Sequence, residues 1–444
     1  MLMVRRCYLM VGLFCKRWLV LACALLLSSL SAAFCESAPL AKSDVLLKTA
    51  NQRIANVRKA PAQIRVVDSK GSPIAGATVK VEQRRHAFLF GCNVFGLFSY
   101  SEPQNAIYAA RFSALFNYAT LPFYWGAYEP EKGDTRAAYE RNQRMAQWCK
   151  ANQIETKGHP LVWQEVYPAW APSDPDLARE ALHQRVSRII PDFKAEIHRW
   201  DVVNEATAAR NFTNGVGHWA KRDGAASLVE TALRWAHEAD PAAVLVYNDF
   251  DLGQDHRQLI EQLVKDNAPF QVIGIQSHMH QGEWPLEKVW DTCETYSKFG
   301  KPIHFTEVTV LSGKHGWELP KPWPTTPEGE QAQADYVEHF YTLLFSHPAV
   351  QAITWWDLPD GCWQGAPAGL VRADLTPKPA YDRLLKLTHE IWWTRESLSS
   401  NAQGECAFVG FLGDYEVAVQ NGDHSGTVTH SLVKGNNNWT IILE

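Results

Sequence analysis

Short apolar runs alternate with longer amphipathic stretches from residue 88 to about 385. The runs are rich in β-branched residues, and the stretches between them repeat at helical spacing, so the pattern predicts βα units around a parallel sheet. The predicted strands are 88–91, 118–122, 155–159, 197–204, 244–248, 272–278, 303–307 and 353–356. Eight such units over about 300 residues fit an α/β fold of the (β/α)8 TIM barrel type. A doubly wound sheet is the alternative, but no Gly-rich phosphate loop follows any of these strands.

The pattern differs at both ends. Residues 62–67 alternate apolar and polar, 68–73 (Asp-Ser-Lys-Gly-Ser-Pro) are turn chemistry, and 77–83 alternate again, which predicts a β-hairpin. Residues 36 to about 60 are polar and predict a helical linker. After Trp393 the helical period stops, and 405–411, 415–419, 427–433 and 438–443 read as short strands that pair with the hairpin as a small accessory β-module. The segment 312–326 reads as a long loop after strand seven, with Thr326 capping the next helix ahead of Pro327. The organisation is thus a signal over 1–35, a linker and hairpin over 36–87, the barrel over 88–393, and C-terminal strands over 394–444.

That signal is an apolar run from Trp18 to Leu27, preceded by Arg5, Arg6, Lys16 and Arg17 and followed by small residues. It predicts export to the periplasm or the medium, with cleavage near Ala33 or Cys35; an uncleaved anchor is the alternative. The formal net charge of −5 gives no electrostatic footprint for nucleic acid or an anionic membrane. Five cysteines lie beyond residue 35 (Cys92, Cys149, Cys293, Cys362, Cys406), widely spaced and odd in number, which predicts buried thiols with at most one or two bridges. No CxxC or Cys/His cluster suggests a metal, and no cofactor is expected. The 18 tryptophans serve either as core or as faces on which sugar rings stack.

The chemistry sits at two strand ends, Trp200-Asp201-Val202-Val203-Asn204-Glu205-Ala206 and His304-Phe305-Thr306-Glu307. Barrel strands deliver active-site groups at their C-terminal ends. Two glutamates so placed form the kind of carboxylate pair that cleaves glycosidic bonds. Either glutamate alone is equally compatible with an ordinary strand-end ion pair.

Together with Gly158-His159-Pro160-Leu161-Val162-Trp163, Tyr247-Asn248-Asp249, Gly274-Ile275-Gln276-Ser277-His278 and Asp374-Leu375-Thr376-Pro377-Lys378-Pro379-Ala380-Tyr381, these motifs resemble glycoside hydrolase family 10, the endo-β-1,4-xylanase family, over about 90–385. The resemblance implies a retaining double displacement on xylan or a related β-1,4-linked polysaccharide, with Glu205 as acid/base and Glu307 as nucleophile. Retention needs the two carboxyl groups about 5–5.5 Å apart. It also implies that His278 partners the nucleophile and that Asn204 bonds the sugar 2-hydroxyl. His159, Trp163 and Gln276 become sugar contacts, Trp355 and Trp363 an aromatic cover, and Trp125 and Tyr124 further substrate contacts. Polysaccharide is the expected partner, with no nucleic acid and no membrane for the mature chain. A non-catalytic carbohydrate-binding barrel is the competing class, disfavoured because binding alone does not require both glutamates, Asn204 and His278.

One segment departs from the family. Where it places a Glu-Asn pair and a Lys to grip the distal glycone sugar, this chain has Thr120, Leu121 and Tyr124. After Trp163 the family's His-Ser-Gln becomes Gln164-Glu165-Val166. Changed glycone specificity, including exo action, is therefore the alternative to ordinary endo-xylanase behaviour, and weaker dependence on a second glycone sugar is expected.

Overall fold

The structure is a computed structural model that describes residues 41–314 and 323–444. The expected export signal and the centre of the loop after strand seven lie outside the described residues. In chain order the strands are β1 (Lys59–Val67), β2 (Thr78–His86), β3 (Leu89–Asn93), β4 (Tyr118–Pro122), β5 (Glu155–His159), β6 (Arg199–Asn204), β7 (Val244–Asp249), β8 (Val272–Ile275), β9 (Ile303–Val308), β10 (Val350–Trp355), β11 (Arg395–Ser399), β12 (Glu405–Phe411), β13 (Gly413–Asn421), β14 (His424–Leu432) and β15 (Asn437–Ile442).

Strands β3 to β10 close a parallel barrel in sequential order, with β10 beside β3. Their residues are buried almost without interruption, as expected where helices cover the outside and side chains fill the inside. All eight predicted barrel strands are present. The sixth ends at Ile275 rather than at 278, because Ser277 adopts a left-handed φ of 58° that turns the chain away from the ladder. Thr326 caps the helix Pro327–Phe345, its Oγ1 accepting from the Gly329 amide at 2.9 Å.

The predicted hairpin does not form. β1 pairs with β12 and β15, whereas β2 pairs with β11 and β13, so the two strands belong to different sheets. The strand periodicity is right: Ala62, Ile64 and Val66 alternate with exposed residues, as do Val79 and Val81. Those faces meet across a core with Phe408, Tyr415, Val417, Trp439 and Ile441. The intervening turn crosses between layers instead of reversing within one. The result is a two-sheet sandwich built from both ends of the described chain, and β11, polar and mostly exposed, is a strand the hydrophobic pattern did not reveal.

The segment expected as a helical linker holds helices where it is described. Lys42–Lys48 and Ala50–Arg58 are helices, and the second is pinned to the barrel by Arg58. Its guanidinium donates to the carbonyls of Phe345 (2.7 Å), His347 (2.7 Å) and Val350 (2.6 Å). The five described cysteines form no bridge: Cys92, Cys149 and Cys293 are buried, Cys406 is half-buried and Cys362 is exposed. Among the described residues, no helix is long and apolar enough to cross a membrane, and no group of three or more His, Cys, Asp and Glu converges as metal ligands would.

Candidate active site

The C-terminal ends of the barrel strands open into a cleft of about 1230 Å³. Glu205 and Glu307 both line it, together with Asn204, His159, Trp163, Gln276, His278, Trp363 and Tyr124. β6 delivers Glu205 just past its last residue, where the backbone turns through a left-handed conformation (φ 58°, ψ 42°) into a short helix. Such a conformation costs a non-glycine residue of order 1–3 kcal/mol and persists only where the surroundings impose it. Here the Glu205 amide donates to Asn248 O (2.9 Å) and Gln164 Nε2 donates to Glu205 O (3.1 Å).

The Glu205 carboxyl accepts from Trp163 Nε1 at 3.0 Å on one oxygen, and from Gln276 Nε2 (2.8 Å) and Asn204 Nδ2 (3.1 Å) on the other. Burial raises its pKa to about 7, assisted by the Glu307 charge and opposed by the Gln276 and Trp163 hydrogen bonds. Glu307 goes the other way. Burial pushes it up, but the His159 imidazole, the His278 hydrogen bond and the Lys157 ammonium outweigh that and hold it below the usual carboxylate value. One carboxyl group therefore keeps a proton near neutrality while its neighbour is ionised, the division of labour that acid and nucleophile require.

The supports of Glu307 come from three strands. Asn248 Nδ2 donates to Glu307 Oε1 (2.7 Å) and to Asn204 Oδ1 (2.8 Å), while its own carbonyl accepts from Thr306 Oγ1. Gly274, paired with Asn248 on β8, leaves room for this amide: a Cβ there would meet Asn248 Oδ1 at 2.6 Å. His278 Nε2 meets Glu307 Oε2 at 3.2 Å. Its Nδ1 lies 2.7 Å from Thr309 Oγ1, which is also 3.0 Å from Trp356 O, so the ring is held at both nitrogens. Beneath, Lys157 and Asp201 are fully buried, paired at 2.6 Å, and Asp201 holds His159 Nδ1 at 2.8 Å with Nε2 facing Glu307 at 3.9 Å.

Two expected contacts are corrected. Trp355 is fully buried in the core, its indole N–H donating to Ala368 O, because it lies within β10 with its side chain on the packed side of the barrel. The next residue, Trp356, lines the cleft instead, and Trp363 stacks on His278 with centroids 4.9 Å apart. Trp125 is also not in the cleft; it is buried against Tyr167 and Trp170, with its N–H on Glu129. The sequence reading missed the roles of Asn248, Asp201, Lys157 and Trp356. Asn248 was discoverable, since it sits at the end of the barrel strand next to the one that delivers Glu205. The buried Lys157–Asp201 pair was not, because its partners are on different strands.

Glycosyl hydrolase family 10 matches residues 85–387. An anti-sigma-I factor of Acetivibrio thermocellus is 28% identical over 83% of the chain, and the chain covers 46% of that relative's length. Endo-1,4-beta-xylanase B of Thermotoga neapolitana is 27% identical over 60% of the chain and 78% of its own length. Among solved structures, xylanase 10B from Thermotoga petrophila RKU-1 in complex with xylobiose is 25% identical and superposes with a TM-score of 0.57 over 68% of this chain and 95% of that one. An endoxylanase retrieved from a sugarcane soil metagenome shares the fold, with a TM-score of 0.58 at 22% identity over 68% of this chain and 97% of its own. With the closed barrel, the carboxyl pair at its strand ends and a family match over more than half of its residues, this chain belongs to glycosyl hydrolase family 10.

Proposed function

We propose that this protein is an exported retaining β-glycoside hydrolase that cleaves β-1,4-xylosidic linkages in xylan. Glu307 attacks the anomeric carbon while Glu205 passes its proton to the leaving oxygen, and the carbon–oxygen bond breaks to leave a glycosyl ester on Glu307. Glu205, now ionised, takes a proton from water, whose oxygen displaces Glu307 with overall retention. Asn204 and Gln276, both within reach of Glu205, bond the sugar hydroxyl beside the scissile bond. Trp356 and Trp363 give it apolar faces.

The observation that carries this reading is the pair of carboxyl groups in one cleft with different partners, Glu205 held by Trp163, Gln276 and Asn204, and Glu307 by Asn248 and His278, an arrangement that raises the first pKa and lowers the second. The xylanases among its relatives and the family match support xylan as substrate. Glu307→Ala tests the chemistry: hydrolysis of an aryl β-xyloside is expected to vanish and to return with azide as the α-glycosyl azide. Near-normal turnover without azide would remove Glu307 from this role. The basic residues before the apolar N-terminal run support export, and N-terminal sequencing of protein recovered outside the cytoplasm should begin past residue 33.

A further inference from the structure

The cleft is lopsided about its carboxyl pair. Glu205 follows the fourth barrel strand, and the loops after the third, fifth and sixth strands flank it with Glu165, Phe250, Asp251, Gln281 and Trp284. A general acid protonates the leaving oxygen, so this broad side receives the departing part of the substrate. The opposite side is lined mainly by aromatic rings. The loops after the eighth and second strands supply Trp356, Trp363, Gln364, Tyr124 and Ala127, and no described residue after the first strand lines the cleft.

A closed ring of aromatic contacts stands there. Tyr124 meets His159 edge-on (5.4 Å, 83°), His159 meets Trp356 (5.2 Å, 75°), Trp356 meets Phe95 (5.2 Å, 80°), and Phe95 returns to Tyr124 (5.9 Å, 82°). Trp163 leans on the same Tyr124 ring at 5.5 Å. Each member holds two others at edge-to-face distance, so no ring swings aside alone. Behind this wall Thr120 and Leu121 are 0% exposed, and neither can reach a sugar. Tyr124 stands beside the nucleophile through His159, the ring it meets edge-on, whose Nε2 faces Glu307 at 3.9 Å. Among the described residues its hydroxyl has no hydrogen-bond partner, although the ring around it is packed.

We infer that this aromatic ring ends the glycone side after a single sugar, so that the enzyme removes the terminal unit from the non-reducing end of a β-1,4-linked chain instead of cutting internal bonds. A second glycone sugar would extend from the 4-oxygen of the first, into the space that Tyr124, backed by Phe95, fills. A terminal sugar carries a free hydroxyl there, and the unused Tyr124 hydroxyl is the group that receives it. This inference rests on the retaining-hydrolase reading above.

The test follows product order with the purified full chain. From 4-nitrophenyl β-xyloside, nitrophenol should appear at once. From 4-nitrophenyl β-xylobioside, xylose and nitrophenyl xyloside should come first and nitrophenol only after a lag, with an initial nitrophenol rate at least about tenfold lower. Reducing-end-labelled xylohexaose should shorten by one unit at a time. Tyr124→Gly and, separately, Phe95→Ala should shorten the lag and bring xylobiose among the first products. Immediate nitrophenol with xylobiose as co-product in the unmodified protein, or mid-chain cleavage of the hexaose, would overturn the single-sugar pocket while leaving the hydrolase reading intact. Failure to cleave any of the three substrates would overturn both.

Discussion

At the scale of single residues, Glu205 and Glu307 differ in what surrounds them, not in their chemistry. In the proposed reaction Glu205 must be protonated for the first step, and burial, which disfavours its charge, raises its pKa to about 7. Glu307 must be ionised, and its pKa lies below the ordinary 4.5. The kcat/KM profile should therefore hold a plateau through the weakly acidic range. Above pH 7 the acid loses its proton, and the rate should fall about tenfold per unit. An alkaline limb already descending at pH 5 would show that burial does not govern Glu205. Glu205→Ala should cost substrates with poor leaving groups far more than nitrophenyl glycosides, since only the former need the proton; equal losses would make Glu205 a structural residue. Both glutamates were legible in the sequence because strand-end motifs carry them. Trp355 was misread because adjacent tryptophans on a strand point to opposite sides, and the sequence does not say which of the two faces the cleft.

At the scale of elements, the barrel strands were readable because full burial demands apolar, β-branched runs, and β11 was not, because an exposed edge strand needs no such run. Close approach between elements was invisible until the fold was known. Gly158 on β5 faces Trp200 of β6, and a Cβ at Gly158 would lie 2.1 Å from the indole ring. Trp200 is fully buried and packs edge-on against Phe123 at 5.0 Å, so the ring has nowhere to retreat. Gly158→Ala should destabilise the protein by about 1–3 kcal/mol through overpacking, read as a lower midpoint in urea. Because His159 is the next residue, kcat should fall as well; a variant with unchanged midpoint and rate would mean that the β5–β6 packing is looser than these distances show.

At the scale of the whole molecule, the accessory sandwich is not an appended module. Its sheets draw β1 and β2 from before the barrel and β11 to β15 from after it. The sandwich meets the barrel through Arg85, paired with Glu155 at the start of β5, and through the ring cluster of His86, Phe345, Trp392 and Phe411. A chain ending at residue 394 would remove Phe408, Tyr415, Val417, Trp439 and Ile441 from the core they share with Ile64, Val66, Val79 and Val81, side chains worth about 1.5–3 kcal/mol of burial each. Its expected behaviour is aggregation or a markedly lower Tm despite an intact set of active-site residues. A soluble truncated chain with the Tm and activity of the full one would show that the sandwich is independent of the barrel.

The sequence by itself determined the barrel, the carboxyl pair and most of the groups around it, because periodicity and strand-end motifs are local and survive without knowledge of distant partners. Tertiary structure alone decided what depends on which segments meet. It sent β1 and β2 to opposite sheets although a turn joins them, since their hydrogen-bonding edges are taken by strands from the C-terminal end, β12 and β15 for β1, β11 and β13 for β2. It put Trp356 instead of Trp355 in the cleft, set the two carboxyl groups apart in proton affinity through burial and neighbouring imidazoles, and gathered four rings from the ends of four barrel strands beside the cleft. Each of these outcomes is a contact between residues far apart in the chain, and no local pattern encodes which of them become neighbours.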